Sequence, residues 1–185
     1  FQSTPLQLCL MTAQIANGGY KIKPRIIDDK YQLASTISEW RDEFANKKSN
    51  LIKLFENQEN VKFLHDALYG ATNEPMGTSY RSRNTKKGFT FAGKTGTSQI
   101  RTITKEEREL KIKNEDLPYE KRDHALFVGF APYKNPRYAI SVVIEHGGSG
   151  SSTAAPIAKK VLKKVIERHE LRKKFQLDLF RDTQI

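Results

Sequence analysis

The pattern of apolar and polar residues predicts three β-strands in the second half of the chain. Residues 88–99 are rich in β-branched and aromatic side chains, whereas residues 125–131 and 138–145 are nearly continuous apolar runs. The segment from Pro132 to Pro136 joins the last two runs as a hairpin-like connection. Because unbroken apolar runs are typical of strands covered on both faces, we expect these two strands to be buried on both sides.

Helical patterns precede these strands. Thr4-Pro5-Leu6-Gln7 combines an N-cap threonine, a proline at the first helical position and a glutamine at the capping-box position, and Gly18-Gly19 provides a stop. The residues from Tyr20 to Ile26 then alternate as in a short edge strand. A second helix is predicted from about Asn60 to about Tyr69, followed by a turn-rich connector from Gly70 to Gly77.

A third helix is predicted to begin near Thr153, after the break at Gly147-Gly148-Ser149-Gly150. Its apolar stripe consists of Ile157, Val161, Leu162, Val165 and Ile166, and four lysines occupy the other side. A basic amphipathic helix can bind a membrane surface. We favour a helix that packs on the sheet with its lysines in water.

The composition is that of a globular chain. The sequence has 185 residues, begins at Phe1 and is 37% hydrophobic, which suits one domain that we expect to be part of a longer protein. No apolar run approaches the roughly 20 residues that cross a bilayer. The single cysteine, Cys9, cannot form a disulfide within the chain, and its apolar neighbours predict a core thiol.

The formal net charge of +11 raises the alternative of a basic, non-catalytic module that binds nucleic acid or a cell-wall polymer. The basic residues are spread along the chain, however. The segment from Arg101 to Arg122 contains seven Lys/Arg and also six Asp/Glu, which is typical of a solvated segment and not of a phosphate-binding stripe.

The segment Gly88–Thr95 matches the phosphate-loop pattern G-x-x-x-x-G-K-T letter for letter. A phosphate loop follows a buried strand and starts a helix at its Lys-Thr pair. Here polar residues precede the match, Phe89-Thr90-Phe91 alternates like a strand, and the next residues, Gly96 and Thr97, are poor helix formers. We therefore expect no nucleotide site.

Lys94-Thr95-Gly96 on a strand instead resembles one of the three signatures of penicillin-binding proteins and class A β-lactamases. Lys94 can supply a fixed positive charge for a substrate carboxylate, and the hydroxyls of Thr95 and Thr97 can donate hydrogen bonds to it. Gly96 has no side chain, so a substrate backbone can lie along the strand edge. An edge N–H near Thr97 can point at the developing oxyanion.

Further blocks surround this motif, and in their order and spacing they resemble class B penicillin-binding proteins, in particular those of cell elongation. The blocks are Tyr69–Thr78, Arg122–Phe127, Phe130–Pro132, Asn135-Pro136, Gly147–Gly150 and Ala154–Ala158. The resemblance implies an α/β (α+β) fold, an antiparallel sheet flanked by helices. Residues 1–170 would then be the C-terminal portion of the transpeptidase domain, and residues 171–185 a charged tail.

The resemblance also implies a function. A serine would attack D-alanyl-D-alanine, form an acyl-enzyme and pass the acyl group to a neighbouring stem peptide, and β-lactams would acylate it. The partners implied are peptidoglycan stem peptides, β-lactams and other cell-elongation proteins, with no nucleic acid and no cofactor. The complete protein would be anchored in the bacterial inner membrane through a segment not included here, with this domain in the periplasm.

Two family motifs have no counterpart here. No Ser-x-x-Lys occurs in the 185 residues, so we expect the nucleophilic serine and its lysine to lie outside them. Ser82-Arg83-Asn84 mimics the family's Ser-x-Asn but stands too close to the Lys-Thr-Gly strand, and we interpret it as coincidence. The four histidines have no metal-ligand spacing. His146 could line the cleft, and His124 could help to place the active-site strand.

Overall fold

The structure, a computed structural model, describes residues 2–22, 24 and 52–174 of the chain. The main elements are α1 (Pro5–Ala16), α2 (Gln58–Asn73), β1 (Ala92–Ser98), α3 (Lys105–Glu109), β2 (His124–Ala131), β3 (Tyr138–Ile144) and α4 (Ala155–Lys174). A π-helical turn, Gly150–Ala154, leads into α4, and 3-10 turns occur at Tyr80–Ser82, Asn114–Asp116 and Tyr119–Lys121.

The three strands form one antiparallel sheet in the order β1-β2-β3. Thr95 lies opposite Phe127, which in turn lies opposite Val142. The predicted antiparallel sheet flanked by helices is confirmed. The first strand is shorter than predicted, since β1 begins at Ala92 and ends at Ser98. The segment just before it is buried through Phe89 and Phe91 but is not paired in the sheet.

One face of the sheet packs on α4. Every second residue of β2 points to this side, and Ala125, Phe127 and Ala131 are buried here. The facing residues of α4 are Ala155, Ala158, Leu162 and Ile166. The predicted helix position is correct, but the predicted stripe is partly wrong, because Ile157 and Val161 are 37% and 43% exposed. Alanines take their place in the interface, and their small side chains allow the helix to approach the strand closely.

The opposite face packs on α1 and α2. Ala92 and Phe130 are buried here with Ala16, and Leu68, Tyr69 and Tyr133 complete the cluster. His65 joins the two helices, because its Nε2 donates a hydrogen bond to the Ile15 carbonyl oxygen (2.7 Å) while its ring lies 5.0 Å from that of Phe130. β2 is therefore covered on both faces as predicted, whereas all seven residues of β3 are only partly buried.

α2 is longer than predicted at both ends. It begins at Gln58, because the Asn57 side chain caps it by accepting the Glu59 N–H (2.8 Å). It continues through Gly70 to Asn73, so the first four residues of the predicted connector are helical. The tertiary contacts of its last turn outweigh the weak helix propensity of glycine.

The predicted edge strand near Tyr20 is only partly visible. A single antiparallel bridge pairs Tyr20 with Lys53, and the Lys21 N–H donates to the Ile52 carbonyl oxygen (2.9 Å). Ile26, the last residue of the predicted strand, lies outside the described residues. Cys9 on α1, predicted as a core thiol, is only half-buried and belongs to neither of the two core clusters. Burial raises the pKa of this thiol, partly offset by a hydrogen bond from the Ser141 backbone.

No helix in the described part of the chain is long and apolar enough to cross a membrane. α4 has 20 residues, but exposed charged side chains recur on it from Lys160 to Glu170. The Arg137 guanidinium donates to the Glu170 carboxylate (2.8 Å) and so ties the start of β3 to this helix. This contact and the buried alanine face together hold α4 against the sheet.

Gly150 makes the closest approach between the turn before α4 and the sheet. A β-carbon at this position would collide with the carbonyl oxygens of Gly96 and Leu126. Both oxygens belong to backbone that the sheet ladder holds in place, so they cannot move aside cheaply. The absence of a side chain at Gly150 therefore allows the turn to lie directly on β1 and β2.

We predict that Gly150→Ala lowers stability by about 1–3 kcal/mol, the usual cost of overpacking a dense interior. Thermal melting of the purified protein measures this. The control is Gly96→Ala on the same strand, whose β-carbon meets only the Leu126 β-carbon, at 3.4 Å, among the described atoms. An equal melting temperature for the Gly150 variant and wild type would show that the turn does not press on the strand.

Candidate active-site strand

The outer edge of β1 changes character along the strand. Near its start, the Thr72 hydroxyl donates to the Gly93 carbonyl oxygen (3.1 Å) and the Asn73 side-chain amide donates to the Phe91 carbonyl oxygen (2.9 Å). Both bonds come from the end of α2, and they show that these two carbonyls point away from β2. α2 therefore covers the first part of the edge.

The second part of this edge carries the predicted site. Backbone groups of a strand alternate between its two edges, so those of Thr95 and Thr97 point the same way as those of Gly93. In the described part of the chain, β1 is the outermost strand on this side. The backbone N–H groups of Thr95 and Thr97 thus face an edge on which an extended peptide can form a further strand.

Lys94 lies at the same edge. Its side chain is exposed, and its Nζ donates to the Thr95 carbonyl oxygen (2.9 Å). It also lines a cavity of about 390 Å³ between β1 and α2, whose other polar walls include Asp66, Glu74 and Thr78. An ammonium group at the rim of a cavity next to an unpaired strand edge can attract and orient an anionic group.

The two threonines extend to the other face of the strand from Lys94, because side chains alternate. The Thr95 hydroxyl donates to the Thr78 hydroxyl (3.0 Å), which sets its orientation, and Thr97 is exposed. Sequence reasoning gave Thr78 no role of its own. Its neighbours Gly77 and Ser79 are typical of a loop, and only the tertiary structure brings that loop to Thr95.

Gly96 lies inside the strand and not in a turn. Its φ is not positive, and it pairs with Leu126 of β2 across the sheet. On one face the Gly150 turn covers its backbone, and on the other a β-carbon would meet only Leu126. The position therefore tolerates a side chain as far as the described residues are concerned.

The competing motifs do not have the geometry that their chemistry needs. Gly88–Thr95 runs directly into β1, and no helix starts at Lys94-Thr95, which rules out a phosphate loop. Ser82 is buried in a 3-10 turn, and the Arg83 guanidinium covers the Tyr80 ring at 3.7 Å. Among the described residues, no group of three His, Cys, Asp or Glu side chains could hold a metal ion.

Tyr133 contacts Asp66, one of the residues that line the cavity. Its hydroxyl donates to an oxygen of that carboxylate (3.0 Å), and its ring packs at 4.6 Å from the Tyr69 ring. Burial, followed by the hydrogen bond to Asp66, raises the pKa of Tyr133 above its usual value. The phenol therefore stays protonated and acts as a donor at neutral pH.

The connection between β1 and β2 is anchored at Asp123, which is buried. Its carboxylate accepts hydrogen bonds from the Asn114 side chain (2.7 Å) and the Ile100 N–H (3.3 Å), and the Asn114 side chain accepts the Asp123 N–H in return (2.8 Å). Further out, the hydrogen bond from the Arg101 guanidinium is the main cause that lowers the pKa of Glu107. This network fixes where β1 ends.

Two histidines meet beside this anchor. The His146 N–H donates to Nδ1 of His124 (2.9 Å), and the two rings lie 5.0 Å apart, edge to face. His146 itself has a left-handed backbone (φ 54°) and bonds the Arg122 carbonyl oxygen through its Nδ1 (3.1 Å). His124 lies opposite Ser98, at the end of the candidate strand.

Comparisons with known proteins agree with this picture. A family model described as the penicillin binding protein transpeptidase domain matches residues 1–163. The peptidoglycan D,D-transpeptidase MrdA of Salmonella typhimurium is 33% identical over 165 residues, which cover 86% of this chain and 24% of that protein. MrdA of Haemophilus influenzae is 30% identical over 160 residues, which cover 86% of this chain and 23% of that protein. The chain thus spans about a quarter of the length of these relatives.

Solved structures agree as well. Penicillin-binding protein 2 of Helicobacter pylori, in its complex with MreC, matches with a TM-score of 0.65 and 28% identity over 89% of this chain and 25% of that chain. Penicillin-binding protein 2 of Pseudomonas aeruginosa, in complex with WCK 5153, matches with a TM-score of 0.59 and 28% identity. The match covers 88% of this chain and 30% of that chain. These matches confirm the resemblance to class B penicillin-binding proteins, and to penicillin-binding protein 2 among them.

The anchoring of the strand edge by α2 can be tested with an isosteric change. Thr72 is fully buried, so Thr72→Val keeps its shape and leaves the Gly93 carbonyl oxygen without this donor. We expect a loss of about 1–3 kcal/mol, the cost of an unsatisfied buried polar group. Denaturant unfolding measures it.

The matched control is Thr78→Val, which removes an exposed hydroxyl from the loop that follows α2. It should leave the unfolding midpoint almost unchanged. If both variants were as stable as wild type, the Thr72 hydroxyl would not hold the strand.

Proposed function

Because this chain belongs to the penicillin-binding-protein transpeptidase family, we propose that the complete protein is a peptidoglycan D,D-transpeptidase. A serine attacks the D-alanyl-D-alanine end of one stem peptide, releases the terminal D-alanine and forms an acyl-enzyme. An amino group of a neighbouring stem peptide then takes the acyl group, and the cross-link is complete. A β-lactam acylates the same serine. The observation that carries this proposal is the Lys-Thr-Gly strand with its second half open at the sheet edge.

The chain's own residues have distinct roles in this proposal. The Lys94 ammonium attracts the terminal carboxylate of the substrate, and the Thr95 and Thr97 hydroxyls donate hydrogen bonds to it. The substrate backbone lies along the edge beside Gly96. The outward Thr97 N–H donates to the oxyanion that forms when the serine attacks, a contact that strengthens in the transition state.

The nucleophile is supplied by a part of the protein outside these 185 residues, because no Ser-x-x-Lys occurs among them. We assign residues 1–170 to the C-terminal portion of the transpeptidase domain and residues 171–185 to a charged tail, although α4 continues four residues into that tail, to Lys174. The complete enzyme is anchored in the inner membrane and works in the periplasm. The Helicobacter pylori relative was solved in a complex with MreC, which supports a partner among the cell-elongation proteins.

Gly96→Val tests the site. If the substrate backbone passes over position 96, a branched side chain collides with it, and acylation by a fluorescent penicillin should fall on the order of 100-fold. Folding should survive, since valine favours extended structure and the position has space. The acylation rate and the melting temperature of the same variant of the complete protein are the two measurements.

Gly96→Ala is the graded control and should lie between wild type and the valine variant in acylation rate. A valine variant with normal melting and normal acylation would place Gly96 outside the substrate path. A valine variant that fails to fold would leave Lys94→Ala as the test, since the exposed lysine side chain carries no core contact. Normal acylation of that variant would remove Lys94 from the site.

A second prediction concerns the 185-residue piece alone. It should not be labelled covalently by a fluorescent penicillin, because an acyl-enzyme needs a nucleophile activated by a base. The complete protein, labelled in parallel, is the positive control, and mass spectrometry should locate its adduct on a serine outside the piece. Stoichiometric labelling of a serine within the piece would contradict the proposed division of the active site.

A further inference from the structure

The hydrogen bonds around His124 determine its protonation state. The His146 backbone N–H can only donate, so Nδ1 of His124 must accept and carry no proton. The Arg122 carbonyl oxygen can only accept, so Nδ1 of His146 is the protonated nitrogen of that ring. His124 is therefore neutral in this arrangement, whereas His146 can keep its bond whether it is neutral or charged.

The bond from His146 to His124 holds the start of a glycine-rich segment, residues 146–150. The Gly148 N–H donates to the Asp123 carbonyl oxygen (2.8 Å), and the Thr153 hydroxyl donates to the Gly147 carbonyl oxygen (2.8 Å). The segment ends at Gly150, which lies directly on the backbone of Gly96. Any displacement of the segment therefore reaches the middle of β1.

His124 also acts on β1 directly. It is the cross-strand partner of Ser98, the last residue of that strand, and its neighbour Asp123 accepts the Ile100 N–H. His124 thus links the end of β1 to residues 146–150, the segment that covers the middle of that strand. His146 has a left-handed backbone, which is uncommon for a residue other than glycine. Its hydrogen bonds to His124 and to the Arg122 carbonyl oxygen hold it in this conformation.

We propose that His124 is a positioning residue of the transpeptidase site, and that its neutral imidazole holds residues 146–150 against Gly96. Protonation of Nδ1 removes the acceptor and sets an N–H against the His146 N–H. The segment then loosens, Gly96 and Thr97 lose their fixed position, and acylation slows as the pH falls. This inference rests on the proposed function and adds to it a pH-dependent support for the strand.

Several charged and titratable groups surround His124. The Tyr119 ring lies 5.1 Å from the His146 ring, while the Arg122 guanidinium is turned away to the Leu117 and Glu115 carbonyl oxygens. The Asp123 carboxylate is occupied by Asn114 and Ile100. Glu145 is exposed just beyond the end of β3. His146 is itself an imidazole in contact with His124, so the test must separate the two histidines.

The experiment measures β-lactam acylation rates of the complete protein from pH 5.5 to 8, together with melting temperatures. His124→Asn is the key variant, because its side-chain oxygen can accept the His146 N–H at every pH. Its rate should equal the wild-type rate near pH 8, and the ratio of wild type to variant should fall about fivefold by pH 5.5, the effect of losing one hydrogen bond. The ratio cancels the titration of all other groups.

His124→Ala removes the acceptor at every pH, so it should be about fivefold slower than His124→Asn throughout the range and should approach the wild-type rate at pH 5.5. His146→Asn is the matched control: asparagine tolerates the left-handed backbone and keeps the donating N–H, so its pH profile should follow wild type. A constant ratio of wild type to His124→Asn would overturn the proposal, as would a profile altered only in His146→Asn. Absence of acylation in wild type would instead contradict the proposed function itself.

Discussion

The site depends on the antiparallel pairing of β1 with β2 and on the fact that its other edge is covered only in part. The register sets the alternation of backbone groups, so Gly93, Thr95 and Thr97 direct theirs outward. The Phe91 carbonyl, just before the strand, points the same way, as its bond to Asn73 shows. The end of α2 satisfies the first two carbonyls through Thr72 and Asn73. The edge becomes accessible where the Lys-Thr-Gly motif begins, and the length of α2 determines that point.

Close packing of glycine and alanine residues against the sheet holds β1 in position. On one face, Gly150 lies on the backbone of Gly96, and the alanines of α4 continue the same close approach along β2. Such contacts leave little room for the strand to shift, because interiors are packed as densely as organic crystals. The edge can therefore present donors in a fixed geometry, which electrostatic stabilisation of a transition state requires.

Hydrogen bonds at the end of the strand complete this support. Asp123 and Asn114 anchor the connection to β2, and the contact between His124 and His146 joins that anchor to the segment that carries Gly150. Under the proposed function, these structural groups would act on the site through Gly96, the residue over which a substrate would lie.

The sequence by itself determined the sheet, the start of α1 and the motif, because these depend on local patterns: apolar runs, a capping box and the Lys-Thr-Gly triplet with its flanking blocks. It did not determine the length of α2 through Gly70, the burial of alanines in place of Ile157 and Val161, or the hydroxyl pair of Thr78 and Thr95. Those features come from contacts between residues distant in the chain, which no local pattern records. The open edge of β1 is also a tertiary feature. The sequence pattern shows that residues form a strand, but only the elements packed beside that strand decide whether its edge is covered or accessible.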